Sequence, residues 1–244
     1  MRPITSAELL TTWEKCAGRT LPEKALLFLD AACADGDPQD PAILSIGERD
    51  AKLLLLREWI FGPHLLNIAD CPICKESIEW TNNIVDLIYP STKKTTQTTF
   101  QLKVENYHIQ FRLPNSYDLS KAALHDYRVN PEKLLVECII DVHQNAQSLN
   151  ANELPAQVLE LLEERMATED PQANVVMNLS CPACSHYWDA HFDIVSYLWT
   201  EVDNWAKHML QDIAELAVTF GWSELQILTL SPQRRQLYLD IIRQ

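Results

Sequence analysis

Apolar residues recur at helical spacing through the N-terminal quarter of the chain. The pattern predicts three helices: one over residues 6–18, a second that begins at Leu21, and a third over residues 45–60 that ends at Gly62. No catalytic motif interrupts these segments. The sequence therefore predicts a helical N-terminal region, residues 1–65.

Residues 66–115 change to the period-two alternation that is typical of half-buried strands. Apolar side chains alternate with polar ones in two consecutive runs. We expect the runs to pair as strands through a bulge or a tight hairpin. Their alternating apolar residues are Phe100, Leu102, Val104, Tyr107, Ile109 and Phe111.

Residues 116–171 return to helical spacing. We predict one helix from Leu119 onward, another over residues 131–139, and an amphipathic helix over residues 154–166. The polar stretch 143–155 contains few residues that could join a core. It is predicted to be a linker or an exposed loop.

Residues 194–244 give the clearest helical signal. Apolar residues step by three or four positions until Gly221, and Ser223 and Ser231 are typical N-caps for two short helices after it. Together the regions predict an α+β fold that is mainly helical, and we expect one compact unit. The apolar stripe of the long helix is Ile194, Leu198, Val202, Trp205, Met209, Ile213, Leu216 and Phe220.

Two Cys-Pro-X-Cys segments lie far apart in the chain but in similar surroundings. The run CPICKESIEWTNNIVDLI aligns without gaps with CPACSHYWDAHFDIVSYL. Two such turns can place four sulfur atoms at about 2.3 Å from one tetrahedral Zn²⁺ ion, which leaves no position for a substrate. We therefore predict a structural zinc site in a zinc-ribbon-like β element, with one knuckle in residues 66–115 and the other in residues 172–193. The predicted ligands are Cys71, Cys74, Cys181 and Cys184.

Two other interpretations of these cysteines stay open. Each pair could be a separate redox dithiol, or all four could be buried without a ligand. Lys75 and Ser185 stand where many zinc knuckles carry glycine. His186 could replace one cysteine as a ligand, although a strand residue with satisfied hydrogen bonds is the simpler interpretation.

Other candidate groups have simple structural explanations. Asp189, His191 and Asp193 alternate beside the second cysteine pair and could form a second, hydrolytic metal site, but partly exposed strand residues are the simpler and preferred explanation. If Asp193 has a role, we expect it to cap the long helix. The remaining cysteines lie in apolar helical patterns and are expected to pack in the core. They are Cys16, Cys33 and Cys138.

Composition narrows the function further. The chain has 244 residues, of which 47% are hydrophobic and 22% charged, and a net charge of −14. That charge disfavours broad affinity for nucleic acid or anionic membranes, because binding to phosphates needs clustered Lys and Arg. With 5 Gly and no Gly-rich loop, a nucleotide fold is also disfavoured. No signal peptide or membrane span is recognised, so a cytoplasmic protein is expected.

Four runs of the sequence resemble baseplate proteins of contractile phage tails and phage-derived contractile injection systems. They are REWIFGPHLLNIADCPICKESIE, FRLPNSYDL, CPACSHYW with the helix that follows it, and GWSELQILTLSPQRRQLYL. That family is similar to the baseplate-hub assembly chaperone of T-even phages. The resemblance extends from about Leu9 to Ile241. It implies a cytoplasmic helper or small subunit whose partners are hub or spike proteins, with the four cysteines as metal ligands and no catalytic residue.

The preferred hypothesis is thus a non-enzymatic assembly factor with a structural zinc site. A zinc-ribbon nucleic-acid-binding regulator is the first alternative, although no basic stripe surrounds either cysteine pair. A CxxC thiol oxidoreductase is the second.

Overall fold

The structure, a computed structural model, describes residues 1–33, 40–89, 98–124, 131–145 and 147–243. Helices and strands are mixed along the chain, and helices predominate, in agreement with the predicted class. The helices are α1 (Ser6–Lys15), α2 (Leu21–Ala32), α3 (Ile46–Phe61), α4 (Ser116–Leu124), α5 (Pro131–Cys138), α6 (Ala156–Glu169), α7 (Ile194–Phe220), α8 (Glu224–Leu228) and α9 (Pro232–Ile242). The strands are β1 (His64–Asp70), β2 (Ser77–Asn83), β3 (Phe100–Val104), β4 (Tyr107–Phe111), β5 (Ile139–Gln144), β6 (Gln147–Ser148), β7 (Val175–Ser180) and β8 (Tyr187–Phe192).

The chain divides into two compact units. One combines Met1–Asp37 with Val195–Gln244, and the other is the continuous segment Pro38–Ile194. The division into five regions that the sequence suggests stays a prediction.

The first unit is helical and centres on the apolar stripe of α7. The predicted end of α7 and start of α8 are confirmed: Gly221 has a φ of +67° and donates its N–H to the carbonyl of Ala217 at 2.9 Å, and Ser223 caps the N-terminus of α8. Phe220, the last residue of the stripe, differs from the rest because it is exposed and stacks on Trp222. One buried apolar cluster of this unit consists of Leu10, Ala206, Met209, Ile213, Leu216, Ile227 and Leu239.

The second unit contains a four-stranded antiparallel sheet in the order β3-β4-β5-β6. The predicted strand runs are β3 and β4, and they join in a tight hairpin in which Val104 pairs with Tyr107 and Glu105 has a φ of +49°. Helix α6 packs its apolar face against this sheet. The core that they share is formed by Phe100, Tyr107, Ile109, Phe111, Cys138, Val142, Leu154, Val158, Leu159, Leu162 and Met166.

Two predictions for this sheet were wrong. Helix α5 ends at Cys138 and the chain continues directly as β5, so Ile139 belongs to a strand. The stretch 143–155, predicted to be a linker or an exposed loop, is largely exposed but is not a linker, because it contains the end of β5 and the short strand β6; residue 146 lies outside the described residues. Pairing with β4 explains the difference, because it buries Val142 opposite Ile109 and outweighs the local helical pattern.

Candidate metal centre

Two antiparallel hairpins present the four cysteines. The first hairpin pairs β1 with β2 and closes at Asp70 and Ser77; the second pairs β7 with β8 and closes at Ser180 and Tyr187. Each Cys-Pro-X-Cys segment forms the connecting turn, over residues 71–76 in the first hairpin and residues 181–186 in the second. The sequence repeat is therefore a repeat of two hairpins with the same register. Strand β1 was not predicted, because it places apolar residues outward.

Both turns close with the same backbone hydrogen bonds. In the first turn Cys71 donates its N–H to the carbonyl of Glu76 at 2.8 Å, and Lys75 donates its N–H to the carbonyl of Cys71 at 3.0 Å. In the second turn Cys181 and Ser185 make the equivalent bonds, both at 2.9 Å. The turns thus hold their cysteines in the same way.

The residue after the second cysteine adopts the left-handed backbone conformation in both turns. Lys75 has a φ of +64° and Ser185 a φ of +57°. These are the positions where the sequence lacks the glycine of many zinc knuckles. A side chain is strained there but tolerated, so the missing glycine does not prevent the turn.

The four sulfur atoms lie close enough to bind one ion. All four are within 4.8 Å of one another, with Cys71 Sγ at 3.7 Å from Cys184 Sγ and Cys74 Sγ at 3.5 Å from Cys181 Sγ. Sulfur atoms at about 2.3 Å from a tetrahedral ion would be separated by about 3.8 Å. The observed distances fit such an ion, so the donor set passes this test for a metal site.

The arrangement is also symmetric between the two turns. The first cysteine of each turn lies beside the second cysteine of the other turn. In both turns the first cysteine is buried and the second is exposed. An ion among the four sulfur atoms would be covered on one side by the protein.

The pKa values of the thiols shift in different directions within this cluster. Burial acts to raise the pKa of Cys71, but the backbone N–H groups of Cys74 and Ile73 outweigh it, and the pKa falls to about 7. The backbone N–H of His186 lowers the pKa of Cys184, yet burial and the three neighbouring sulfur atoms raise it to about 12. The neighbouring sulfur atoms therefore oppose ionisation of Cys184, because closely spaced thiolates would repel one another. A divalent cation would remove that penalty.

Two side chains in the segment before the second hairpin attach this segment to other parts of the same unit. Gln172, just before β7, donates its amide to the carbonyl of Leu87 at 3.1 Å and accepts the N–H of Tyr89 at 2.9 Å. Asp170 accepts the N–H of Gly47, in the first turn of α3, at 2.9 Å. The segment before the second hairpin is thereby attached both to α3 and to the segment that follows the first hairpin. No sequence motif indicated these contacts.

The other candidate residues do not join the cluster. His186 was predicted as a strand residue, but it lies in the second turn, where its carbonyl accepts the N–H of Cys181 at 2.9 Å, and its ring stacks on Trp188. Asp189 accepts a hydrogen bond from the Asn178 amide, and His191 bonds to Asn174. Among the described residues, the four cysteines are the only group of three or more His, Cys, Asp or Glu side chains positioned for a metal.

The remaining cysteines do not belong to this cluster. Cys16 and Cys138 are buried, as predicted, and burial raises the pKa of their thiols to about 11 and about 12. Cys33 is only half-buried. The environments of Cys16 and Cys138 favour packing and not thiolate chemistry.

No helix in the described part of the chain is long and apolar enough to cross a membrane. A comparison with protein families finds one whose description is "T4 bacteriophage base plate protein", and its model matches residues 8–198. The matched range includes both cysteine turns and ends within α7. Neither the curated proteins nor the solved structures contain a match to this chain.

Proposed function

The chain belongs to the T4 bacteriophage base plate protein family, and we propose that it is a non-enzymatic factor that assembles the baseplate hub, or a small baseplate component, of a contractile tail or contractile injection system. The family match over residues 8–198 carries the proposal. A baseplate is built by protein–protein contacts, so the partners are expected to be hub or spike proteins. No catalytic step is needed for this role.

The second part of the proposal is a structural zinc ion bound by Cys71, Cys74, Cys181 and Cys184. The sulfur distances support it. The charge of the site also supports it, because four neighbouring thiolates would repel one another unless a cation neutralised them. With four protein ligands the ion has no open position for water or substrate. Its role is to join two hairpins that are distant in sequence and to form a zinc-ribbon-like element.

The two other functions have less support. A nucleic-acid-binding regulator needs clustered basic residues, whereas the chain carries a net charge of −14 and the two turns contain one basic residue, Lys75. A thiol oxidoreductase usually places its CxxC at a helix N-terminus, where the helix dipole lowers the thiol pKa. Here both CxxC segments connect strands.

Deletion of the gene tests the assembly role directly. Tails or injection particles from the deletion strain should lack baseplates in electron micrographs, and the intact chain supplied in trans should restore them. Complementation with Cys71→Ser should give about tenfold fewer complete particles, because loss of a ligand loosens the second unit. Complementation with Cys33→Ser, which alters a cysteine outside the cluster, should match the intact chain. Normal numbers of complete particles in the deletion strain would refute the proposed function.

A further inference from the structure

Strand β1 exposes two apolar side chains on one face and buries a polar one on the other, which departs from the pattern of an ordinary half-buried strand. In β1, Leu66 is 61% exposed and Ile68 is 62% exposed. Asn67, which lies between them, and Leu65, which precedes them, are buried. Since neighbouring residues of a strand point to opposite faces, Leu66 and Ile68 share the outer face. This face therefore carries an apolar patch, defined here as Leu66 and Ile68.

A buried polar network fixes this orientation. The Asn67 amide donates to Asn82 Oδ1 at 3.1 Å and to the Leu65 carbonyl at 3.2 Å, and Trp80 Nε1 donates to the same Asn82 oxygen at 2.7 Å. A register shift by one residue would turn Asn67 outward and break the network. The hydrogen bonds thus favour the register that leaves Leu66 and Ile68 on the surface.

The second hairpin provides an internal comparison, because it has the same turn and the same register. At the position equivalent to Leu66 it carries Val176, which is half-buried, and at the position equivalent to Ile68 it carries Asn178, which is exposed and bonds to Asp189. The outer face there also holds His191, with Tyr187 as its one strongly exposed large apolar residue, at 77%. The apolar patch is therefore a property of the first hairpin and not of the shared hairpin design.

Acidic side chains border the patch. Glu79 lies directly opposite Ile68 in the register, and Asp70 lies two residues along β1 on the same face. Both are exposed, and neither forms an ion pair with another described residue. A partner that covers Leu66 and Ile68 must bring positive charge to these two carboxylates. A second copy of this chain is disfavoured, because two chains that each carry a net charge of −14 repel one another.

We propose that the outer face of the first hairpin is a docking surface for another polypeptide of the baseplate, one that presents an apolar segment flanked by Lys or Arg. The inference rests on the proposed function. Burial of Leu66 and Ile68 supplies the affinity, and Asp70 and Glu79 select a basic partner.

Binding of the full-length protein to each purified product of the accompanying tail genes tests the inference. The double variant Leu66→Thr/Ile68→Thr keeps strand-forming residues but removes the apolar surface, and it should weaken binding about tenfold or more. Glu79→Lys should weaken the same complex, and raising salt from about 50 mM to about 300 mM should weaken binding of the intact chain. Tyr187→Thr, the matched control on the second hairpin, should change affinity by less than about twofold. Thermal unfolding curves that match the intact chain would show that each variant is folded.

Each outcome has a distinct meaning. If the intact chain binds a tail protein and the double variant binds it equally well, the docking surface is wrong and the proposed function stands. If the double variant instead abolishes self-association of the intact chain, a second copy covers the patch and the proposed partner is wrong. If no tail protein binds the intact chain, both the proposed function and the docking surface fail.

Discussion

Lys75 and Ser185 occupy left-handed backbone conformations that glycine adopts without strain. That conformation costs a non-glycine residue roughly 1–2 kcal/mol, while glycine loses roughly 0.5–1 kcal/mol more backbone entropy on folding. We therefore expect Ser185→Gly to raise the free energy of unfolding of the metal-bound protein by about 0.5–1 kcal/mol. Denaturant titration would measure it. Ser180→Gly, in the adjacent strand without a positive φ, should lower stability instead; destabilisation by both variants would contradict the strain argument.

Asp50 is a second residue whose contribution to stability can be tested, through the pH dependence of unfolding. Burial raises its pKa from 3.8 to about 6, although Arg49, in contact at 2.7 Å, partly opposes the shift. The folded chain therefore binds this proton more tightly than the unfolded chain does. The resulting stabilisation is complete below about pH 4 and is lost as the pH rises through about 6.

In Asp50→Asn this pH dependence should disappear. The free energy of unfolding of the variant, relative to the intact chain, should increase by about 2 kcal/mol between pH 4 and pH 7. Denaturant titrations of both chains across this range would measure the difference, and the pH dependence of metal binding cancels because both keep the same four cysteines. Parallel pH profiles would contradict the assignment.

At the scale of elements, the network of Asn67, Asn82 and Trp80 stabilises the first hairpin. Asn82→Ala removes the acceptor shared by the buried Asn67 amide and the partly buried Trp80 indole, and should cost about 2 kcal/mol of stability. Thr81→Ala, at the next position on the exposed face, should cost less than about 0.5 kcal/mol. Thermal or chemical unfolding separates the two cases. Equal effects would show that the network does not fix the hairpin.

The elements also show what the sequence could predict. Helices α1, α2, α3 and α7 followed from apolar spacing and caps, because local signals and tertiary packing agree there. The proximity of the two cysteine turns followed from the repeat and from the coordination chemistry of zinc. Strand β5 could not be predicted, because its apolar residues continue the helical spacing of α5 and no Gly or Pro between them ends the helix. Strand β1 could not be predicted either, because its exposed apolar residues do not follow the usual alternation of buried apolar and exposed polar side chains.

At the scale of the whole molecule, the four cysteines lie entirely within the unit Pro38–Ile194. Metal binding between residues 71 and 184 would close a long loop, and the entropy of ordering that loop would be offset by the metal–thiolate bonds. Chelation of the metal should therefore increase hydrogen exchange in β1, β2, β7 and β8. The core of the first unit around α7 should keep its protection. Unchanged exchange in both hairpins after verified metal loss would contradict the structural role.

The metal content of the purified protein tests the central claim most directly. Elemental analysis of the intact chain should find about one zinc ion per chain, and Cys71→Ser/Cys181→Ser should lose it, while Cys33→Ser keeps it. Cobalt substitution should give the absorption of a tetrahedral tetrathiolate ion. Less than about half an equivalent of zinc in the folded intact chain would contradict the claim that the four cysteines form one structural zinc site.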